Sequence, residues 1–517
     1  MKARFVRQSL LAATVITIGT SILSRLFGYV REAAVAGYFG TSATLDTFVI
    51  AFTVPEILGF MFFASLPLAL LPVLKDRKLQ IREDISPLFW SGAFVVAILT
   101  GLIALAIFLL RDSLIIWLAP DLAGEELLLA RRLATILAWF VFFRGMEAYF
   151  RSWLLAYKHF IIPSLSAIVI NIVVLGTIFL LYDELGIDTL AYGWLAASII
   201  ALIFNGLSAL AVIRPHLRVG RQSAWVGLLF RALIAVAAVE LITLLYPVID
   251  RYLASQLLGD GQIAALRYAT FLIQVPTGAI VVTFAYASFP WITEMASKAD
   301  SQRSRDLYGS SIRLIAWVMG LVMIGVLIFP DDIVKLAFGR GAFDEASIFL
   351  TTGPLVCFAA GVVFHSVYIY QMRYYYARVA RLRLGLILLG MLVVKVIGSL
   401  LLVGPLEHSG LALATSIAWT TGFVAMSIDL RRHLGVSLSD LFLPGLFKLL
   451  ISLVIVALIW TALNHFWPME VTHTLLYLFF RLAVIGLTGI VVYLVLSHWL
   501  SIPAYKRLAE RFRSGSH

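Results

Sequence analysis

The chain has a single cysteine, Cys357, which lies inside an apolar run. One thiol excludes intrachain disulfide scaffolds, CxxC redox pairs and cysteine zinc centres. Charge is scarce too: 13% of the 517 residues are Asp, Glu, Lys or Arg, against about 25% in soluble domains, while 61% are hydrophobic. No interval between the apolar runs is long enough for a separate soluble core, so the sequence reads as an integral membrane protein. GxSxG, Walker A and HExxH patterns have no soluble context here, which argues against an enzyme. His365 and His473 have no second ligand at helical spacing, so no metal site is expected. Nothing in the sequence requires a cofactor, and a coupling ion, if one is used, is not encoded in any motif.

The net charge of +11 does not point to nucleic acid, because the basic residues are spread through short loops and form no cluster. They mark membrane orientation instead. The N-terminal MKARFVRQSLL has the charged and apolar parts of a signal peptide, yet it runs into SRLFGYVRE with no A-x-A-like cleavage site, so it reads as a retained first helix.

A spanning helix needs about 20 mostly apolar residues. Fourteen segments qualify: 10–30, 45–74, 88–110, 127–154, 160–181, 190–213, 224–248, 263–291, 311–328, 346–370, 384–403, 410–430, 441–463 and 475–496. Loop charges alternate consistently with this division. Lys2, Arg4, Arg7, 75–82, Lys158, 214–221, 298–305, 373–383, Arg431, Arg432 and the tail 506–513 fall on one side. Asp121, Glu125, Glu126, Asp183, Glu184, Asp188, Asp331, Asp332, Glu407 and Glu470 fall on the other. By the positive-inside rule both termini are cytoplasmic. Tyr505, Leu508 and Phe512 share a helical face in the tail, which suits an interfacial helix or, equally, a solvated basic tail.

A pattern recurs within the chain. REAAVAGYFGTSATLDTFVIAFTVP begins at Arg31, and RYLASQLLGDGQIAALRYATFLIQVP begins at Arg251. Gly40 precedes Pro55 by fifteen residues and Gly261 precedes Pro276 by the same interval, with Ala43, Leu45 and Val54 matching Ala264, Leu266 and Val275. The copies open two six-helix halves in the same direction, the arrangement of transporters built from parallel repeats. The expected division is 1–218, 219–433 and a C-terminal pair with the basic tail, 434–517. The fold class is thus all-α and polytopic, two six-helix lobes related by a parallel pseudo-two-fold plus two further helices.

Charges inside spans are costly and usually face a cavity or a partner. Arg25, Arg31, Glu32, Asp46 and Glu56 crowd the first two helices. Arg25 and Glu32 lie seven residues apart on one face with Gly28 between them, leaving room for a ligand or a close helix. Self-satisfied pairs, or a helix end at Arg31 and Glu32, are the alternative. Arg144, Glu147 and Arg151 have the spacing of an intrahelical ion network. Arg231, Glu240, Lys395 and Arg481 are isolated in sequence, could snorkel or pair between helices, and are assigned no role.

SILSRLFGYVREAAVAGYFGTSATLDTFVIAFTVPEIL resembles the opening signature of the MurJ/MviN family, lipid II flippases of the multidrug/oligosaccharidyl-lipid/polysaccharide exporter superfamily. LLAYKHFIIPSLSAIVIN, ending at Asn171, FGRGAFDEASIFLTTGPLVCFAAG, from Phe338 to Gly361, and YYYAR, ending at Arg378, resemble two further regions of that family. The resemblance implies fourteen helices, a cationic cavity between two lobes, and a side groove for the lipid tail made by the last two helices. It also implies a bacterial inner-membrane flippase of a polyprenyl-pyrophosphate-linked saccharide, above all lipid II for peptidoglycan synthesis. Its partners would be that lipid, membrane lipids and cell-wall synthesis proteins, with no nucleic acid. Arg25, Arg31 and Asp46 match the family's functional arginines and aspartate. The chain departs from the family in two places: Gly59 and Phe60 stand where the family has an arginine pair, and Phe271 replaces an arginine of the eighth helix, with Arg267 one turn earlier. Glu56 is an extra carboxylate. Another lipid-linked glycan, an ion-coupled exporter of small amphiphiles, and a non-transporting scaffold are the competing readings. Counting six residues past the repeat glycines reaches Asp46 and Arg267, an opposite-charge pair at matching positions that suggests a gate.

Overall fold

Every backbone N–H and C=O in a bilayer must find its partner within the protein, and a helix achieves this within one segment. The computed structural model describes residues 10–75, 85–157, 159–216, 223–297, 301–377, 381–434, 438–468 and 474–506, and among these only helices, turns and irregular connections occur. The basic residues Lys2, Arg4 and Arg7, the loop 76–82, Lys158, Glu470, His473 and the tail positions Leu508 and Phe512 lie outside the described residues.

The helices are α1 (Leu10–Phe39), α2 (Ala43–Lys75), α3 (Ser86–Leu118), α4 (Gly124–Ala156), α5 (Ile161–Leu185), α6 (Asp188–Ile213), α7 (Ser223–Leu257) and α8 (Gln262–Pro276). A π-helical turn, Thr277–Val282, joins α8 to α9 (Thr283–Ser297). Then follow α10 (Ser301–Ile328), α11 (Pro330–Phe338), α12 (Glu345–Ala377), α13 (Arg381–Leu434), α14 (Leu438–Phe466) and α15 (Leu475–Trp499). Eleven of the described helical stretches are long and apolar enough to cross a membrane. The longest, α13, is two helices: Glu407 has φ 50° and ψ −137°, and there the chain turns back on itself. Gly410 lies against the Leu402 carbonyl and Gly398 against Ala414 across that turn, so the two halves run side by side. The segments expected at 384–403 and 410–430 are these halves. The fourteen-helix reading is compatible with the arrangement.

The segment expected at 263–291 is α8, the π turn and α9. Proline 276 explains the turn, because it has no N–H for the ladder and its ring crowds the carbonyl four residues back. The short α11 was not anticipated. It opens with Pro330 in its first turn, and its carboxylates Asp331 and Asp332 stand at the positive end of the helix dipole.

The chain forms two compact units, 1–264 and 265–517. This boundary falls one helix and a turn later than 218/219, because α7 packs along α2 and α3. In the first unit α4 is central, packed against α2, α3 and α6. Phe89, Tyr149 and Trp153 form its aromatic centre, and the Tyr149 hydroxyl donates to the Phe89 carbonyl at 2.7 Å. In the second unit α12 lies along the second half of α13 and along α10. The helix pair α14–α15 docks on α10 through Trp317, which stacks on Tyr493 with ring centroids 5.3 Å apart and donates to Ser497 Oγ at 2.9 Å.

Candidate functional site

Arg31, near the end of α1, is fixed on three sides. Its Nη1 donates to Asn171 Oδ1 of α5 at 2.7 Å and its Nη2 to Glu32 Oε1 at 2.7 Å. The guanidinium carbon sits 4.7 Å from the Trp194 ring centroid of α6. Asn171 is itself held, donating to the Ala167 carbonyl at 2.9 Å and to the Ser24 carbonyl at 3.2 Å. Gly28 faces the Asn171 amide, which a Cβ there would meet at 3.8 Å, an ordinary van der Waals contact. Glu32 is nearly enclosed, whereas 13% of the Arg31 side chain remains accessible. Arg25, a turn and a half earlier, is half-buried and engaged with its neighbours. The sequence identified Arg31 and Glu32 but not Asn171 or Trp194. An amide inside an apolar span was the available signal for the first.

On α2 the carboxylates take different partners. Buried Asp46 accepts the backbone N–H of Gly261 on one oxygen and that of Ala264 on the other, both at 2.7 Å. One aspartate therefore lies in the first turn of α2 and caps the start of α8, where both helix dipoles favour a negative charge. The charge that sequence symmetry matches with that of Arg267 is here a helix cap. Glu56 pairs with Arg251 of α7 at 2.9 Å, and Arg251 also donates to Thr53 Oγ1 at 3.0 Å. Arg251 was noticed only as the start of the repeat, because a pairing across 195 residues leaves no trace in local spacing.

The repeat glycines share a conformation. Gly40 has φ 57° and closes α1, and Gly261 has φ 81° just before α8. Gly261 also lies so close to the Thr41 carbonyl that any Cβ would collide with it. Pro55 is buried within α2, and Pro276 ends α8 at the π turn.

Arg267 is half-buried on α8 in the second unit. Its neighbour Tyr268 packs between Phe338 and Phe343, with centroids 4.9 and 5.3 Å away, and Phe271 lies 6.4 Å from Phe338. Phe271 therefore belongs to an aromatic cluster.

Arg144 and Glu147 form the expected intrahelical pair at 2.9 Å. Lys395 and Arg481, isolated in sequence, both pair with groups from other segments. Lys395 Nζ donates to the Leu411 carbonyl at 2.8 Å across the α13 turn. Arg481 donates to Asp332 Oδ2 at 2.6 Å, to the Trp467 carbonyl at 2.8 Å and to Asn464 Oδ1. Half-buried His365 stacks on Trp419 with centroids 3.9 Å apart.

The profile of the family described as "Lipid II flippase MurJ" matches residues 35–480. A "Probable lipid II flippase MurJ" of Buchnera aphidicola subsp. Schizaphis graminum is 25% identical over 510 residues, 95% of this chain and 96% of its own length. A "Lipid II flippase MurJ" of Burkholderia cenocepacia is 22% identical over 488 residues, 89% of this chain and 91% of that protein. Among solved structures, "Lipid II flippase MurJ, inward closed conformation" superposes with a TM-score of 0.77 at 19% identity, covering 96% of this chain and all of that one. An outward-facing multidrug resistance MATE family transporter of the MOP superfamily superposes at 0.61 with 14% identity, over 83% of this chain and 97% of its own.

Proposed function

We propose that this chain, which belongs to the lipid II flippase MurJ family, carries lipid II across the bacterial inner membrane as a multi-pass transporter and not as an enzyme. The observation that carries this reading is Arg31, a guanidinium fixed on α1 by Asn171, Glu32 and Trp194 with part of its surface left accessible. A pyrophosphate with a sugar headgroup cannot enter hydrocarbon unaided. An arginine offers it a planar fork of donors that lysine lacks. In this reading Arg25 and Arg31 meet the phosphates, and Arg267 of the eighth helix is a further substrate-binding cation. Glu56 balances charge through Arg251, and Asp46 holds the turn before α8. The halves 1–218 and 219–433 alternate in access, 434–517 receives the polyprenyl chain, and cell-wall synthesis proteins are the natural partners. Moving one net charge through 100 mV is worth roughly 2.3 kcal/mol, enough to make membrane potential a driver.

Rescue of a bacterial strain depleted of its own lipid II flippase tests the function. Growth and translocation should be restored, and failure of a well-expressed, inserted protein counts against lipid II as the cargo. Orientation is tested by single cysteines in a background lacking Cys357. Positions 183 and 407 should label from outside intact cells, and positions 75 and 432 should not; a reversed pattern breaks the topology.

A further inference from the structure

Arg144, Glu147 and Arg151 follow one another at three and four residues, which places them on one stripe of α4. That stripe faces Phe63 of α2. The guanidinium carbon of Arg144 lies 4.2 Å from the Phe63 ring centroid and that of Arg151 lies 4.0 Å from it. Two cations against one ring are each attracted to its π face but repel one another. The triad, two arginines and one glutamate, sums to a net +1 within a helix of the membrane domain.

The supports of this pair are rigid. Glu147 is fully buried and takes Arg144 Nη1 on one oxygen at 2.9 Å. Its other oxygen accepts from Asn205 Nδ2 of α6 at 3.0 Å and from Ser166 Oγ of α5 at 3.5 Å. Three helices thus hold the carboxylate, and the carboxylate holds one guanidinium. Gly59, one turn before Phe63, keeps α2 close: a Cβ there would meet Phe140 at 2.7 Å and Arg144 Cγ at 3.3 Å. The Arg144 stem lies where a side chain at position 59 would begin. Arg151 is five residues from the end of α4 at Ala156, about 8 Å along the axis, on the side that the loop charges make cytoplasmic.

We propose that Arg144 and Arg151, splayed over Phe63, clamp the pyrophosphate of the lipid substrate on its cytoplasmic approach, with Glu147 as a positioning residue. The identity of the lipid rests on the lipid II reading; the chemistry recognised, a pyrophosphate ester, does not. Two guanidinium forks meeting at one ring suit a diphosphate, whose several oxygens accept from both at once. The ring keeps both forks oriented with little loss of side-chain freedom on binding.

The test is the dissociation constant of the purified full chain in nanodiscs for lipid II, for sugar-free polyprenyl pyrophosphate, and for inorganic pyrophosphate as competitor. Arg151→Gln and Arg144→Gln should each weaken both lipids about tenfold or more, Arg151→Lys should lose less than Arg151→Gln, and Phe63→Leu, which keeps the charges, should weaken binding several-fold. Inorganic pyrophosphate should displace the lipid from the wild type and do so less well from Arg151→Gln. If the glutamine variants do not fold, Arg151→Lys and Phe63→Leu decide it: wild-type affinity in both overturns the clamp. Wild-type affinity with lowered melting temperature makes the cluster structural and also overturns it, as does a wild type that binds none of the three probes. Binding of polyprenyl pyrophosphate without lipid II rescue leaves the clamp standing while the lipid II reading falls. Rescue by variants that bind and transport as the wild type does the reverse.

Discussion

Arg31 and Arg481 are both arginines inside apolar helices, and their surroundings differ. Arg481 is 1% accessible and gives its donors to a carboxylate, a backbone carbonyl and an amide oxygen from three separate places. With 1% of its side chain accessible it shows a ligand no surface, and it ties α11 to the end of α14 and to α15. Arg31, Arg144 and Arg251 keep 13 to 16% of their side chains accessible, and each stands beside one carboxylate. A buried ion pair often does little net for stability, yet breaking one leaves a stranded charge. The unit 265–517 thus uses its deepest guanidinium as an anchor, whereas 1–264 holds several in fixed positions with surface to spare.

Substitution by glutamine should separate these roles, and it carries the largest effect. Arg481→Gln strands Asp332 and should cost about 3–5 kcal/mol of stability, read as a lower melting temperature and lower membrane abundance. Arg31→Gln alone would strand Glu32, whose side chain is 4% accessible, so the comparison uses Arg31→Gln with Glu32→Gln: this double variant should keep abundance near wild type and abolish transport, and Arg31→Lys alone should keep part of the transport because a point charge replaces a fork. If the double variant loses abundance as Arg481→Gln does, the contrast collapses and Arg31 is an anchor as well.

The glycine turns sharpen the same contrast within one unit. Gly40 and Gly261 both need a left-handed backbone, but only Gly261 also presses on the Thr41 carbonyl. Gly40→Ala should cost about 1 kcal/mol, the usual penalty for a side chain in that conformation. Gly261→Ala should cost about 2–3 kcal/mol, because backbone on both sides must move. Equal melting temperatures for the two variants would show that the turn before α8 yields easily and is no fixed point.

What the sequence revealed depended on whether a signal was local. Helix positions, the break between 403 and 410, the paired glycine turns and the Arg144–Glu147 contact all follow from spacing within one or two turns or from a repeated interval. The partners Asn171 for Arg31, Arg251 for Glu56 and Asp332 for Arg481 come from 140, 195 and 149 residues away, where no periodicity reaches. Lys395 is instructive because its acceptor is a backbone carbonyl, a group every residue carries. Asp46 was singled out by its match to the family signature. Its use as a cap for α8 required knowing that the turn at 40–42 lies beside the turn at 261, which only the fold supplies.

Two aspartate caps compare the units once more, and the cap at Asp344 gives the smallest expected effect. Asp46 is buried and satisfies two amides of another helix, so Asp46→Ala should cost about 1–3 kcal/mol by orphaning both. Asp344 is exposed and caps its own helix, accepting the Ser347 N–H at 2.8 Å at the start of α12. Hydrogen bonds from the Ser347 backbone and then its side chain hold the Asp344 carboxyl below its ordinary 3.8. A depressed carboxyl adds stability that is present above 3.8 and is lost as the pH falls through the lower folded value. Asp344→Ala should therefore cost about 0.5–1 kcal/mol at neutral pH, and its difference from wild type should shrink below about pH 4. A difference that stays constant from pH 7 to pH 3 would show that the ionised carboxylate is not what caps α12. A loss as large as that of Asp46→Ala would show that exposure does not separate the two caps.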